Sequence, residues 1–211
     1  MTVEAKICGL STAETVEAAV HHGARFVGFV TFPKSPRHIS TETMRALGAL
    51  VPKTVTRVGL FVDPDDALLD EKLATGALDM LQLHGRETPE RVAAIRQRAG
   101  KPVMKAIKVG AASDIEQGIA AYAGAADRLM FDAAEGTLPG GNARPFDWSL
   151  LSGRMVPGPW FLAGGLTPGN VAEAVRVTGA PIVDVSSGVE ETRGVKSISL
   201  IRAFLDRVKA L

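Results

Sequence analysis

The sequence predicts a single (β/α)8 barrel, the TIM-barrel class of α/β fold, on three observations. Short β-branched or apolar runs alternate with helical stretches along the whole chain, and eight such runs can be counted. Repeated βα units demand a parallel sheet with helices outside it. A chain of 211 residues that carries eight units favours a closed barrel, a fold that begins at about 200 residues. A doubly wound open sheet is the runner-up, but no G-x-G-x-x-G follows the first strand. No linker, low-complexity stretch or charge block divides the chain, so residues 1–211 read as one catalytic domain.

Taken in order, the strands fall at residues 3–8, 26–30, 56–62, 78–84, 103–108, 128–132, 160–164 and 182–186. The helices between them open on recognisable signals. Ser11 and Glu14 have the Ser-x-x-Glu capping-box spacing before Val16, Ala19 and Val20. Asp63-Pro64, Thr88-Pro89 and Thr167-Pro168 each set a capping side chain before a proline suited to a first helical turn. The final helix, 197–211, carries Ile198, Ile201, Phe204, Leu205 and Val208 at helical spacing. One connection, 133–145, is long for a βα loop and stands as a candidate lid or binding loop.

Composition narrows the function classes. Hydrophobic residues make up 46% and charged residues 22%, as in a globular protein with a full core. Basic and acidic side chains nearly cancel to a net charge of +1, which gives no reason to expect nucleic acid or an anionic membrane as partner. Residues 1–10 have no secretory pattern, and no run is long enough for a membrane span. The single cysteine, Cys8, rules out an internal disulfide and fits a cytoplasmic setting. His21 and His22 would point about 100° apart on a helix, so no structural metal is expected.

Strand alternation selects the site. In the first strand Val3, Ala5 and Ile7 suit the helix layer, leaving Lys6 and Cys8 inward. By the same parity Gln82, His84, Asp132, Asp184 and Ser186 face inward on the fourth, sixth and eighth strands. Lys6, Cys8, His84, Asp132 and Asp184 therefore gather at the carboxyl ends of strands, the rim that holds active sites in barrel enzymes. Buried charges there require mutual pairing or a ligand, and Lys6 with Asp184 is one such pairing. Lys6 also shares a strand face with Cys8, which predicts a partly ionised, solvent-reachable thiol. After the seventh strand comes Ala163-Gly164-Gly165-Leu166, and after the eighth Asp184-Val185-Ser186-Ser187-Gly188-Val189. Glycines admit an anion close to the backbone, so Gly164, Gly165, Ser186, Ser187 and Gly188 are the candidate phosphate cradle for a small phosphorylated substrate.

Together these motifs resemble the phosphoribosylanthranilate isomerases of tryptophan biosynthesis. The likeness runs through Lys6-Ile7-Cys8-Gly9, Gly28-Phe29-Val30, Ser35-Pro36-Arg37, Gln82-Leu83-His84-Gly85, Gly140-Gly141, Phe146-Asp147-Trp148 and the two phosphate loops to Glu190. The chain departs from the family pattern at Asn142-Ala143 and at Arg193-Gly194-Val195-Lys196-Ser197. The resemblance implies an Amadori rearrangement of N-(5-phosphoribosyl)anthranilate without a cofactor. It implies Asp132 as general acid, Cys8 as general base, and Arg37 on the anthranilate carboxylate. Lys6, His84 and Asp184 would line the substrate. Acting as the acid requires a protonated Asp132, its pKa raised by burial or by a carboxylate such as Asp184. The assembly would be a monomer or homodimer. Two alternatives stand beside this: another phosphosugar isomerase, epimerase or indole-forming synthase on the same barrel, or a silent barrel that binds a phosphorylated metabolite.

Overall fold

The computed structural model describes residues 2–134 and 146–211. Eight parallel strands close on themselves in sequence order: β1 (Glu4–Cys8), β2 (Phe26–Val30), β3 (Thr56–Phe61), β4 (Met80–Leu83), β5 (Val103–Val109), β6 (Arg128–Ala133), β7 (Phe161–Leu162) and β8 (Ile182–Val185). The eight expected strands are all present, with ends shifted by up to two residues.

Outside the barrel lie α1 (Ala13–His21), α2 (Thr41–Ala49), α3 (Asp66–Leu73), α4 (Pro89–Ala99), α5 (Ala112–Tyr122), α6 (Val171–Thr178) and α7 (Ile198–Lys209). Among the described residues between β6 and β7 the helical element is a 3-10 turn, Trp148–Leu151, where the alternation predicted an α-helix. The expected loop 133–145 falls, after Ala134, outside the described residues, and Gly140-Gly141 and Asn142-Ala143 fall there too. A short antiparallel hairpin, β9 (Glu190–Thr192) with β10 (Val195–Lys196), follows β8.

Three cap expectations need correcting. The α1 cap is Thr12, whose hydroxyl accepts from the Thr15 N–H, rather than Ser11. Asp65, not Asp63, caps α3; Asp63 sits at φ 46°, its carboxylate accepting from the Arg86 N–H. Asn170 rather than Thr167 precedes α6, because the Asn170 side chain closes a turn back onto the Thr167 N–H. Thr88 caps α4 with Pro89 in the first turn, as the sequence predicts.

Parity divides the core in two. Ala5, Ile7, Leu81, Leu83, Leu129, Phe131, Val183 and Val185 pack into the helix layer. Phe26, Val58, Met80, Met104, Met130, Phe161 and Ile182 fill the barrel interior. Apolar residues thus occupy the lower interior, and the inward positions above them, at the strands' carboxyl ends, carry the polar side chains.

Candidate active site

The polar side chains form two arcs on the barrel rim. The first belongs to β1 and β8, whose register sets Lys6 directly against Asp184. Both point inward, and Lys6 Nζ donates to Asp184 Oδ1 at 2.8 Å. Lys6 has no exposed surface (0%), so it meets the site only through its neighbours. Burial works to lower its pKa, but the Asp184 carboxylate and Cys8 beside it carry the value above the ordinary lysine range. Gly28 of β2 lies opposite Cys8. A Cβ at Gly28 would stand 3.0 Å from Cys8 Sγ and 3.1 Å from Lys6 Nζ, so glycine is what leaves both side chains room. Cys8 itself is buried (3%). Burial pushes its thiol up, Lys6 opposes and Asp184 adds, and the net shift is upward. The expectation of a solvent-reachable, partly ionised thiol is therefore corrected: at neutral pH Cys8 is a covered, neutral thiol.

The second arc spans β4 to β6. Lys108 is in register with Asp132, and its ammonium donates to Oδ2 at 2.8 Å. His84 Nε2 reaches the same oxygen at 3.0 Å. On the far side of the ring, Gln82 Nε2 lies 3.1 Å from His84 Nδ1. Burial works to raise the Asp132 pKa, but His84 and Lys108 outweigh it and bring the carboxyl to about 2. This corrects the expectation of a protonated Asp132: the carboxylate thought to raise its pKa, Asp184, lies on the other arc, paired with Lys6.

The loops above β7 and β8 abut one another. A Cβ on Gly188 would fall 1.8 Å from the Leu166 carbonyl oxygen, so the two backbones meet at a spacing that only glycine allows. Gly164 and Gly165 turn with φ of 87° and 68°, and Asn170 Nδ2 holds the Gly165 carbonyl at 2.9 Å. Ser186 precedes a 3-10 turn, Ser187–Val189, and its hydroxyl donates to the Cys8 carbonyl at 3.2 Å. Arg37, from the loop after β2, is no solvated surface arginine. Its Nε and Nη2 donate to Glu190 Oε1 and Oε2 at 2.6 and 2.7 Å. Burial works to raise Glu190, yet Arg37 and Lys196 hold it at about 2.

The structure thus brings every expected site residue to one end of the barrel and adds several that sequence reasoning missed. Lys108 was visible by parity, two positions beyond the inward Ala106 of β5. Glu190 ends the quoted eighth-strand motif but carried no assigned role. Lys105 and Glu87 gave no signal at all. They form a buried pair at 2.9 Å, in which Glu87 accepts from the Gly85 and Asp63 N–H groups and Lys105 donates to the Gly85 carbonyl. That pair fixes the backbone just after His84. Among the described residues no cluster of three or more His, Cys, Asp or Glu is arranged to hold a metal ion, and no helix is long and apolar enough to cross a membrane.

Comparison with known proteins adds to this geometry. The family model for N-(5'-phosphoribosyl)anthranilate (PRA) isomerase matches residues 5–207. An N-(5'-phosphoribosyl)anthranilate isomerase of Paracoccus denitrificans (strain Pd 1222) is 54% identical over 213 residues, covering 100% of this chain and 99% of that protein. That of Paramagnetospirillum magneticum (strain ATCC 700264 / AMB-1) is 54% identical over 208 residues, with 97% and 96% covered. Among solved structures, phosphoribosyl anthranilate isomerase from Thermotoga maritima superposes with a TM-score of 0.87 at 34% identity, with both chains covered to 100%. A further phosphoribosyl anthranilate isomerase structure, in complex with reduced 1-(o-carboxyphenylamino)-1-deoxyribulose 5-phosphate, gives a TM-score of 0.84 at 34% identity, also with 100% of each chain covered.

Proposed function

The chain belongs to the PRA isomerase family and is an isomerase of tryptophan biosynthesis, and we propose that Cys8 and Asp132 are the base and acid of its Amadori rearrangement. The substrate is an N-ribosyl anthranilate 5-phosphate. Protonation of its ring oxygen opens the sugar to a Schiff base. Loss of the proton on the neighbouring sugar carbon then gives an enamine, which tautomerises to the 1-deoxyribulose phosphate. The product is an isomer of the substrate, so no electron acceptor or cofactor enters the balance.

The observation that carries the assignment is the separation of the two arcs. In the closed ring β6 is three strands from β1, so an acid on Asp132 and a base on Cys8 approach a central sugar from different sides. Their resting protonation is the reverse of what the reaction uses: a neutral thiol and an ionised carboxylate. Thiol with carboxylate and thiolate with carboxylic acid carry the same net charge. The active pairing is therefore a proton-shifted form whose share does not change with pH between the two pKa values. The substrate carboxylate and phosphate bring negative charge into the mouth, which opposes the cations on Asp132 and favours its protonation. In this scheme His84 and Lys108 orient Asp132, and Lys6 with Asp184 sets the surroundings of Cys8.

The phosphate would sit on the backbone of Gly164, Gly165, Ser186, Ser187 and Gly188, where two loops meet at glycine spacing. Arg37 would hold the anthranilate carboxylate. Glu190 occupies Nε and Nη2, and the remaining edge of the guanidinium faces a ligand as a charge-assisted donor. An aryl-amino deoxyribulose phosphate, the kind of ligand bound in the related complex, carries a phosphate for the first anchor and a ring carboxylate for the second, with the sugar between them. The chain would work in the cytoplasm as a monomer or homodimer, with neither nucleic acid nor membrane as partner.

Fluorescence turnover of freshly made phosphoribosylanthranilate tests the acid. Asp132→Asn is expected to lose nearly all kcat while the reduced product analogue still binds. Loss of analogue binding with kcat intact would assign Asp132 to binding instead.

A further inference from the structure

Lys196 has no part in the scheme above. It stands on β10 of the hairpin that follows β8, and its side chain has no exposed surface (0%). Its ammonium meets three acceptors: the Ser186 carbonyl at 2.8 Å, the Ser186 hydroxyl at 3.2 Å and Glu190 Oε1 at 2.8 Å. Three acceptors satisfy the three N–H bonds of an ammonium. Each one leads into the site. The Ser186 hydroxyl donates a hydrogen bond to the Cys8 carbonyl. Glu190 grips the Nε and Nη2 edge of Arg37, and the Gly194 N–H closes on Glu190 Oε2 at 3.0 Å.

A buried lysine is a costly way to pin a hairpin, since an apolar side chain of similar volume would often serve as well. What the lysine adds is charge. Arg37 with Glu190 alone is a neutral pair, and the arginine's attraction for an anion is largely spent on its own partner. With Lys196 on Glu190 Oε1, the oxygen that Arg37 Nε also meets, the three ionised groups carry a net charge of +1, and Arg37 presents a cation to the ligand in a fixed plane.

We propose that Lys196 is a positioning residue for recognition of the substrate's aromatic carboxylate, acting through Glu190 on Arg37. This rests on the reading that Arg37 holds that carboxylate, and the experiment separates the two. The quantity measured is the ratio of dissociation constants for two reduced product analogues, one with the ring carboxylate and one without it. In the unaltered protein a charge-assisted contact makes that ratio about 10- to 150-fold, and Arg37→Ala is expected to bring it close to one. Lys196→Met is expected to lower the ratio about tenfold and to raise KM more than it lowers kcat. In the Arg37→Ala background it should change the ratio no further. Lys196→Arg, which keeps the charge, should restore most of the ratio. Should Lys196→Met not fold, Lys196→Gln, with N–H donors but no charge, is expected to give the same loss. A hairpin-pinning role would lower the melting temperature and leave the ratio untouched. A ratio that collapses in Arg37→Ala but stays at its original value in folded Lys196→Met or Lys196→Gln overturns the proposal alone. A ratio unchanged in Arg37→Ala overturns the reading of Arg37, and the proposal with it.

Discussion

Replacing Lys6 with methionine isolates the buried ion pair at the base of the first arc. The side chains are of similar length, so the change removes charge with little loss of volume. Lys6 has no exposed surface, and Asp184 is itself buried, with the 2.8 Å contact between them. Removing one partner of such a pair leaves the other charge uncompensated, a loss of about 3–5 kcal/mol. For a chain of this size each kcal/mol shifts Tm by about 2–4 °C, so Lys6→Met should melt about 6–20 °C lower. Lys6→Met with Asp184→Asn removes both charges and should recover much of that loss, giving a coupling of opposite sign to the single effects. Urea unfolding of the three variants beside the parent reads the cycle. A Lys6→Met loss below about 1 kcal/mol, or a double variant no more stable than the single, would refute the reasoning that the pair is desolvated and tightly coupled.

Three further outcomes follow from the geometry. Iodoacetamide should label Cys8 slowly at neutral pH, at a rate that rises through a midpoint above the ordinary thiol range, because burial raises its pKa; fast labelling at pH 7 would contradict this. Inorganic phosphate or sulfate should inhibit competitively, and Gly188→Ala should weaken that inhibition, because its Cβ would fall 1.8 Å from the Leu166 carbonyl oxygen; unchanged inhibition by a folded variant would place the anion elsewhere. Glu190 is held at about 2 against an ordinary value of 4.5, so its contribution to stability is full above the ordinary value and is lost as pH falls toward 2. Glu190→Gln should therefore flatten the stability–pH curve over that window, and an unchanged slope would contradict it.

The barrel and its inward rim were legible because they depend on periodicity. Alternation along β1, β4, β6 and β8 is a local property, and it correctly placed Lys6, Cys8, Asp132 and Asp184 on the inner face. Helix starts were harder where two capping residues compete. Ser11 and Thr12 are adjacent, and Asp63 and Asp65 flank the same proline, so the choice falls to tertiary contacts such as the Asp63–Arg86 hydrogen bond. Protonation was not legible at all. Whether Asp132 holds a proton depends on His84 and Lys108, which arrive from β4 and β5, while Asp184 is turned toward Lys6. The partner of Arg37 lies 153 positions away, beyond any spacing rule. Lys196 stands in a stretch that the sequence marks only as a departure from its family's pattern, and its burial is a product of the closed loop cluster.

The claim at the centre of the account is that Cys8 takes the proton from the sugar carbon. As the only cysteine of the chain, it can be tested without background. A serine hydroxyl is far less acidic and makes a poor base, and general base catalysis contributes typically about 10²- to 10⁴-fold. The direct measurement is kcat of Cys8→Ser, with folding checked by circular dichroism and binding by titration with the reduced product analogue. The account predicts a loss of kcat on that scale, with the analogue still bound. Near-normal turnover by the folded Cys8→Ser protein would contradict it.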